Sequence, residues 1–236
     1  MKSTIVIPTY NEVKNIEKLV KSIFKQGINT KIIIVDDDSK DGTKELADML
    51  SKKFRQRLFV IHREKKLGIG SAYITGFRFA LEKLNSDLVI SMDADLSHDP
   101  KHLHSLFQKI NHGFDVVVGS RYSPGGAIVG WSFDRVIISK GANCLAKKIL
   151  GLKVSDVTTG YRAYKADVLK SINFGDIKSD GYSFLEEILF KAKAKGYKIG
   201  ETPIVFVDRA FGKSKLSKIE MLKFFLTIIR LRFFDR

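Results

Sequence analysis

Leu88-Val89-Ile90-Ser91-Met92-Asp93-Ala94-Asp95 decides the fold class. A short apolar run closed by two carboxylates one residue apart reads as a buried strand whose carboxyl end opens on a polar loop. Outward toward the N-terminus, the spacing predicts a helix over 71–84, a strand over 58–61 and a helix over about 42–54. A β-branched strand over 31–35 stops at Asp36-Asp37-Asp38. Ile16, Leu19, Val20, Ile23 and Phe24 recur at helical spacing, and a strand over 4–7 ends at Pro8. Toward the C-terminus, Asp99-Pro100 reads as an N-cap and N1 proline, followed by a strand over 114–119. Apolar strands alternating with helices specify an α/β fold with a mainly parallel central sheet flanked by helices. Such sheets bind ligands beyond the carboxyl ends of their strands, where Thr9 to Glu12, Asp36 to Asp41 and Asp93 to Asp95 cluster.

After Gly119 the alternation breaks. The sequence predicts a loop over 123–126, helices over 134–150 and 182–195, a short strand over 160–164, a strand over 198–207 and a final helix over 216–234. With 236 residues, 44% of them hydrophobic, the chain can bury one sizeable core. The expected organisation is one catalytic domain over 1–215 and an apolar C-terminal helix over 216–236.

The formal net charge is +15, which favours anionic partners: nucleotides, phospholipid, nucleic acid or a phosphorylated substrate. No recognition helix, zinc spacing or RNA-binding motif supports a nucleic-acid-binding protein. The single cysteine, Cys144, cannot form an internal disulfide, fits a reducing compartment and reads as a packing residue. The N-terminus reaches Pro8 too soon for a signal peptide, and no uncharged run is long enough to cross a bilayer. A soluble or peripheral protein is expected.

Asp93 and Asp95 at a strand end can share one hard cation, Mg2+ or Mn2+, completed by substrate phosphates. Capping and solvation are the bland alternative for such a triplet. Asp37 has two readings, a ribose or base contact and a turn in which Ser39 or Asp41 caps the next helix. Leu67-Gly68-Ile69-Gly70 lets backbone approach a ligand closely, but Tyr73 stands where the dinucleotide fingerprint needs its third glycine. Gly212-Lys213-Ser214 fails as a P-loop because Val207 replaces the first glycine. Arg121 follows a strand end, Arg135 and Ser139 share a helix face, and Arg209, Lys213 and Lys215 lie in a connection. Each cation alone is an ordinary solvated charge; together they suit phosphate oxygens. His98, His102 and His104 read as surface or capping residues.

In the last helix, Glu220, Lys223, Thr227 and Arg230 form one polar stripe in an otherwise apolar surface. One-sided burial leaves much of that arc uncovered, and a membrane surface or membrane-protein partner would cover it.

Together these segments resemble family 2 glycosyltransferases, and within them the dolichol-phosphate (polyprenyl-phosphate) mannose synthases. The resemblance rests on Pro8-Thr9-Tyr10-Asn11-Glu12, Asp36-Asp37, Leu67 to Gly70, Met92 to His98, Gly119-Ser120-Arg121-Tyr122, Arg135 to Asn143, Gly160-Tyr161-Arg162 and Val207 to Leu216. It implies a GT-A fold, GDP-mannose as donor and dolichyl or polyprenyl phosphate as acceptor. By motif match, Pro8, Tyr10, Glu12, Val35 and Asp37 would hold the nucleoside. Asp93 and Asp95 would hold the metal, with Ala94 against the donor. Arg121, Arg209 and Lys215 would contact donor phosphates or sugar, and Arg135 and Ser139 would receive the acceptor phosphate. Ser97 stands where some members carry a glutamine ligand. Members without transmembrane helices are anchored by small membrane subunits, so the resemblance implies a peripheral protein at the cytoplasmic face of a membrane. A phosphate acceptor is already largely ionised near neutral pH and needs cations more than a base. Single displacement with inversion is the expected mechanism. The rivals are the same fold using UDP-glucose or another donor, and a non-catalytic nucleotide-binding subunit.

Overall fold

The computed structural model describes residues 1–179, 181, 183–208 and 218–234. The first half runs β1 (Ser3–Thr9), α1 (Ile16–Lys25), β2 (Thr30–Asp36), α2 (Thr43–Lys53), β3 (Leu58–His62), α3 (Ile69–Glu82) and β4 (Leu88–Ser91). It continues with α4 (Leu103–Asn111), β5 (Val116–Ser120), β6 (Ala127–Val129), α5 (Phe133–Leu150), β7 (Arg162–Lys165) and α6 (Ala166–Ser171). The last elements are α7 (Ser183–Ala194), β8 (Ile199–Pro203), β9 (Val205–Val207) and α8 (Lys218–Phe233).

The main sheet has the order β3-β2-β1-β4-β7-β5-β8. Only β7 runs antiparallel to its neighbours, β4 and β5. The chain builds β1, β2 and β3 outward on one side, then returns to place β4 on the other side of β1. That reversal leaves a crevice at the carboxyl ends of β1, β2 and β4, which the acidic loops occupy.

Strand alternation sorts the core into two layers. Ile5 and Ile7 pack with Ile16, Leu19, Leu50 and Leu106 from α1, α2 and α4. Val6 packs on the other face with Tyr73 and Phe77 of α3 and shares a cluster with Phe184 of α7. Gly76 lets α3 lie close to the sheet: a Cβ there would stand 2.2 Å from Val6 Cγ1.

Three departures from the sequence reading have physical causes. The strand expected over 198–207 is two strands, because the chain changes partner after Pro203, leaving β5 for β6. Ile204 carries the chain across: its N–H donates to Ser120 O and its carbonyl accepts from Ala127 N, each at 3.0 Å. Beyond it β9 pairs with β6, a three-residue strand too short to show alternation. Cys144 is exposed and does not pack. His98 is buried, not at the surface, whereas Asp99 does cap the 3₁₀ turn Pro100–His102 through the Lys101 N–H at 3.0 Å.

The C-terminal helix divides its polar stripe. Thr227, Ile228 and Leu231 are buried, and Arg230 Nη2 reaches Glu187 Oε2 of α7 at 2.6 Å. Lys223 stays exposed, as do Leu222, Phe225, Leu226, Ile229 and Phe233. Among the described residues no helix is long and apolar enough to cross a membrane.

Candidate active site

The loop after β1 is stitched to the loop after β2. Thr9 Oγ1 donates to Asp36 Oδ1 at 3.0 Å, and Asn11 N to Ser39 Oγ at 2.8 Å. Asp36 also accepts from Ser39 N and Oγ at 3.0 and 2.6 Å, so this buried acid organises the turn. Neither Ser39 nor Asp41 is the N-cap of α2, which is Gly42 without a side-chain cap bond; Asp41 Oδ1 instead accepts from Thr43 N at 3.1 Å, and Asp37 has other partners. Its carboxylate takes the N–H groups of Leu67 and Gly68, both at 2.9 Å, and meets Arg63 Nη1 at 3.0 Å. Asp37 thus ties the glycine loop to the sheet edge. Pro8 and Val35 are register partners on β1 and β2. Val35 is sealed in the core, Tyr10 lies under Lys66 Nζ at 3.7 Å from its ring centroid, and Glu12 Oε2 accepts from Asn15 Nδ2 at 2.8 Å.

Asp93, Ala94 and Asp95 follow β4 after the buried Met92. Each of the three loops carries one residue in left-handed backbone, Asn11 (φ 58°), Asp38 (φ 65°) and Leu96 (φ 65°). Asp93 is oriented from two sides. Tyr73 OH donates to its Oδ1 at 3.0 Å, and its N–H donates to His98 Nδ1 at 3.1 Å. With Nδ1 accepting, the neutral ring carries its proton on Nε2, which faces Asp93 Oδ2 at 3.9 Å. His98 stacks on Tyr161 with ring centroids 5.0 Å apart. Gly160 closes the other flank: a Cβ there would lie 3.2 Å from Asp93 Oδ1. Asp95 is buried, and its Oδ1 accepts from Ser97 N and Oγ at 3.1 and 2.6 Å. Ser97 therefore orients Asp95. Among the described residues no group of three or more His, Cys, Asp or Glu side chains surrounds one point. Two hard carboxylates, held by neighbouring donors, suit a cation whose other ligands come from substrate.

Arg121 is not a solvated charge. Its Nε donates to Asp156 Oδ2 at 2.6 Å and its Nη2 to Asp156 Oδ1 at 2.8 Å and Thr158 Oγ1 at 2.7 Å. Burial opposes the charge on each partner, and each outweighs it for the other. The Arg121 pKa is raised and that of Asp156 is lowered. Thr158 is shared with Asn143 Nδ2 of α5 at 3.1 Å. Sequence reasoning missed Asp156 and Thr158 because the segment between α5 and β7 has no periodicity. The remaining signal is an isolated acid among Val154, Val157 and the threonines. Arg162, which the Gly160-Tyr161-Arg162 motif marked without a role, is wholly buried and donates to the carbonyls of Thr159, Val157 and Leu185, fixing this segment.

Arg135 and Ser139 do share a face of α5. Arg135 Nη1 meets Asp208 Oδ2 at 3.1 Å, and Ser139 Oγ accepts from Tyr122 OH at 2.6 Å. Burial raises the Tyr122 pKa despite that bond, so the hydroxyl stays protonated. Arg209, Lys213 and Lys215 lie outside the described residues.

Residues 4–172 match the family described as Glycosyl transferase family 2. The chain belongs to glycosyltransferase family 2. Polyprenol monophosphomannose synthase of Mycolicibacterium smegmatis is 40% identical over 216 residues, covering 92% of this chain and 81% of that protein. Undecaprenyl-phosphate mannosyltransferase of Micrococcus luteus is 39% identical over 217 residues, covering 92% and 88%. Glucosyl-3-phosphoglycerate synthase of Mycobacterium tuberculosis, solved with Mn2+, UDP and glucosyl-3-phosphoglycerate, superposes with a TM-score of 0.71 at 20% identity. That likeness covers 98% of this chain and 80% of the solved one, and shows the shared GT-A fold.

Proposed function

We propose that this family 2 glycosyltransferase transfers mannose from GDP-mannose to the phosphate of a dolichyl or polyprenyl phosphate, with inversion. One observation carries the reading. Arg135 and Ser139 sit on a helix whose Phe133, Ile137 and Ile138 are exposed. An anion site beside an apolar surface matches the two halves of a lipid phosphate. The mannosyltransferase names of the two bacterial relatives support the sugar and the lipid acceptor. The guanine base rests on the motif resemblance.

In this reading Pro8, Tyr10, Glu12, Val35 and Asp37 frame the nucleoside, Val35 through the loop it launches. Asp93 and Asp95 would hold Mg2+ or Mn2+, which offsets the charge that builds on the leaving nucleoside diphosphate. Ala94 packs against the donor. Arg121, kept charged and aimed by Asp156, takes a donor phosphate oxygen; by motif match Arg209 and Lys215 would also contact donor phosphate or sugar. Arg135 and Ser139 orient the acceptor phosphate, whose second pKa of about 6 leaves it nucleophilic without a general base. Its oxygen attacks the anomeric carbon as the bond to the nucleoside diphosphate breaks.

Helix α8, with its exposed apolar residues, packs against α5, and Lys140, Lys148, Lys223 and Arg232 are exposed on these two helices. Such a surface suits a membrane carrying anionic lipid, or a small anchoring subunit within it. The exposed free thiol of Cys144 fits the reducing, cytoplasmic side. The test is a donor panel: purified protein, vesicles containing polyprenyl phosphate, Mg2+ or Mn2+, and labelled GDP-mannose beside UDP-sugars. Label entering lipid from GDP-mannose alone supports the reading; label from a UDP-sugar overturns the mannose assignment.

A further inference from the structure

Trp131, the only tryptophan of the chain, meets both arginines of the proposed phosphate sites. Arg135 Cζ stands 3.8 Å from its ring centroid and Arg121 Cζ 5.2 Å. The indole meets the edge of Phe206 at 5.4 Å, and Phe206 meets His98 at 5.8 Å, so one aromatic row links the Asp93 loop to Arg135. Arg121 Cζ is also 5.4 Å from the Phe206 ring and 5.3 Å from the Tyr122 ring. Trp131 Nε1 is buried with no hydrogen-bond partner among the described residues. A buried donor without an acceptor is costly, and the cost is relieved by an anionic oxygen brought alongside.

We infer that Trp131 is a positioning residue that fixes the spacing of Arg121 and Arg135, so that donor and acceptor phosphates are seated together. The inference deepens the proposed function and rests on it for the names of the two anions. Two like charges near one another repel, and each gains attraction from the electron-rich face of the same indole. Asp208 pairs with Arg135, and Asp156 pairs with Arg121. The ring holds both guanidiniums at set distances without adding charge, so both remain able to take phosphate.

The experiment uses the full chain and its Trp131→Phe and Trp131→Leu variants. Trp131→Leu is expected to raise KM for a short-chain polyprenyl phosphate and to lower kcat, each by about tenfold, as loss of a desolvated cation–aromatic contact implies. Trp131→Phe, which keeps an aromatic face, is expected to restore most of both at an unchanged melting temperature. In wild type, inorganic pyrophosphate and short-chain polyprenyl phosphate should each change the Trp131 emission. In Arg135→Ala the response to the lipid phosphate should vanish while that to pyrophosphate persists. Unchanged kinetics in Trp131→Leu, or equal loss in both variants, overturns the inference while transfer by wild type keeps the function. Emission that responds to neither anion overturns it without any transfer assay, and absence of transfer beside an intact emission response overturns only the function.

Discussion

Asp156 grips Arg121 with both carboxylate oxygens, and the two side chains are 0% and 6% exposed. Removing one partner strands a buried charge. Asp156→Asn should therefore destabilise the protein by about 3–5 kcal/mol. Arg121→Lys, which loses the planar fork, should lose transfer activity with a smaller stability change. Denaturant unfolding beside steady-state kinetics separates the two; a neutral Asp156→Asn contradicts the assigned role.

Gly160 lies against the carboxylate proposed to hold the metal. In Gly160→Ala the added Cβ would meet Asp93 Oδ1 at 3.2 Å, Oδ2 at 3.4 Å and His98 Cε1 at 3.5 Å. The carboxylate must turn, and the expected result is metal affinity lower by about 10- to 100-fold. Mn2+ titration of binding checks this; wild-type affinity would show that Asp93 is not a ligand.

His102 Nε2 accepts the Val205 N–H at 3.0 Å, which fastens β9 to the turn before α4. Burial lowers its pKa from 6.5, against the opposing charge of Asp99. A folded-state pKa below the unfolded one means the unfolded chain binds the proton more readily. The stabilising contribution is complete above 6.5 and is lost as pH falls toward the lowered folded value. Unfolding midpoints should drop from about pH 7.5 to about pH 5.5. His102→Gln keeps an acceptor that does not titrate and should flatten the slope; an unaltered slope contradicts the assignment.

Leu226 and Phe233 are exposed, at 58% and 69%. If α8 lies on lipid, replacing both by glutamate removes apolar burial worth about 1.5–3 kcal/mol per side chain. Sedimentation with anionic vesicles should fall by at least about tenfold. Transfer to a detergent-dispersed short-chain acceptor should persist. Undiminished vesicle binding contradicts the membrane role of this face.

The sequence carried the parallel layers and the acidic strand ends because each is local: an apolar run followed by polar residues in one stretch. The roles of Tyr73 and His98 toward Asp93 were not legible, since Tyr73 reads as a failed glycine position and His98 as one of a surface trio. Arg121 looked solvated because its partner Asp156 is 35 residues away. The α8 stripe was visible as a pattern, but which side it turned inward depended on Glu187 of another helix. Spacing finds residues on one element; it does not find the partner that folding brings.

The most direct measurement compares polyprenyl phosphate with the matching polyprenol as acceptor, using labelled GDP-mannose and Mg2+, with and without chelator. Label is expected in the lipid only with the phosphate and only with metal. Equal labelling of the alcohol, or transfer that survives chelation, would contradict it.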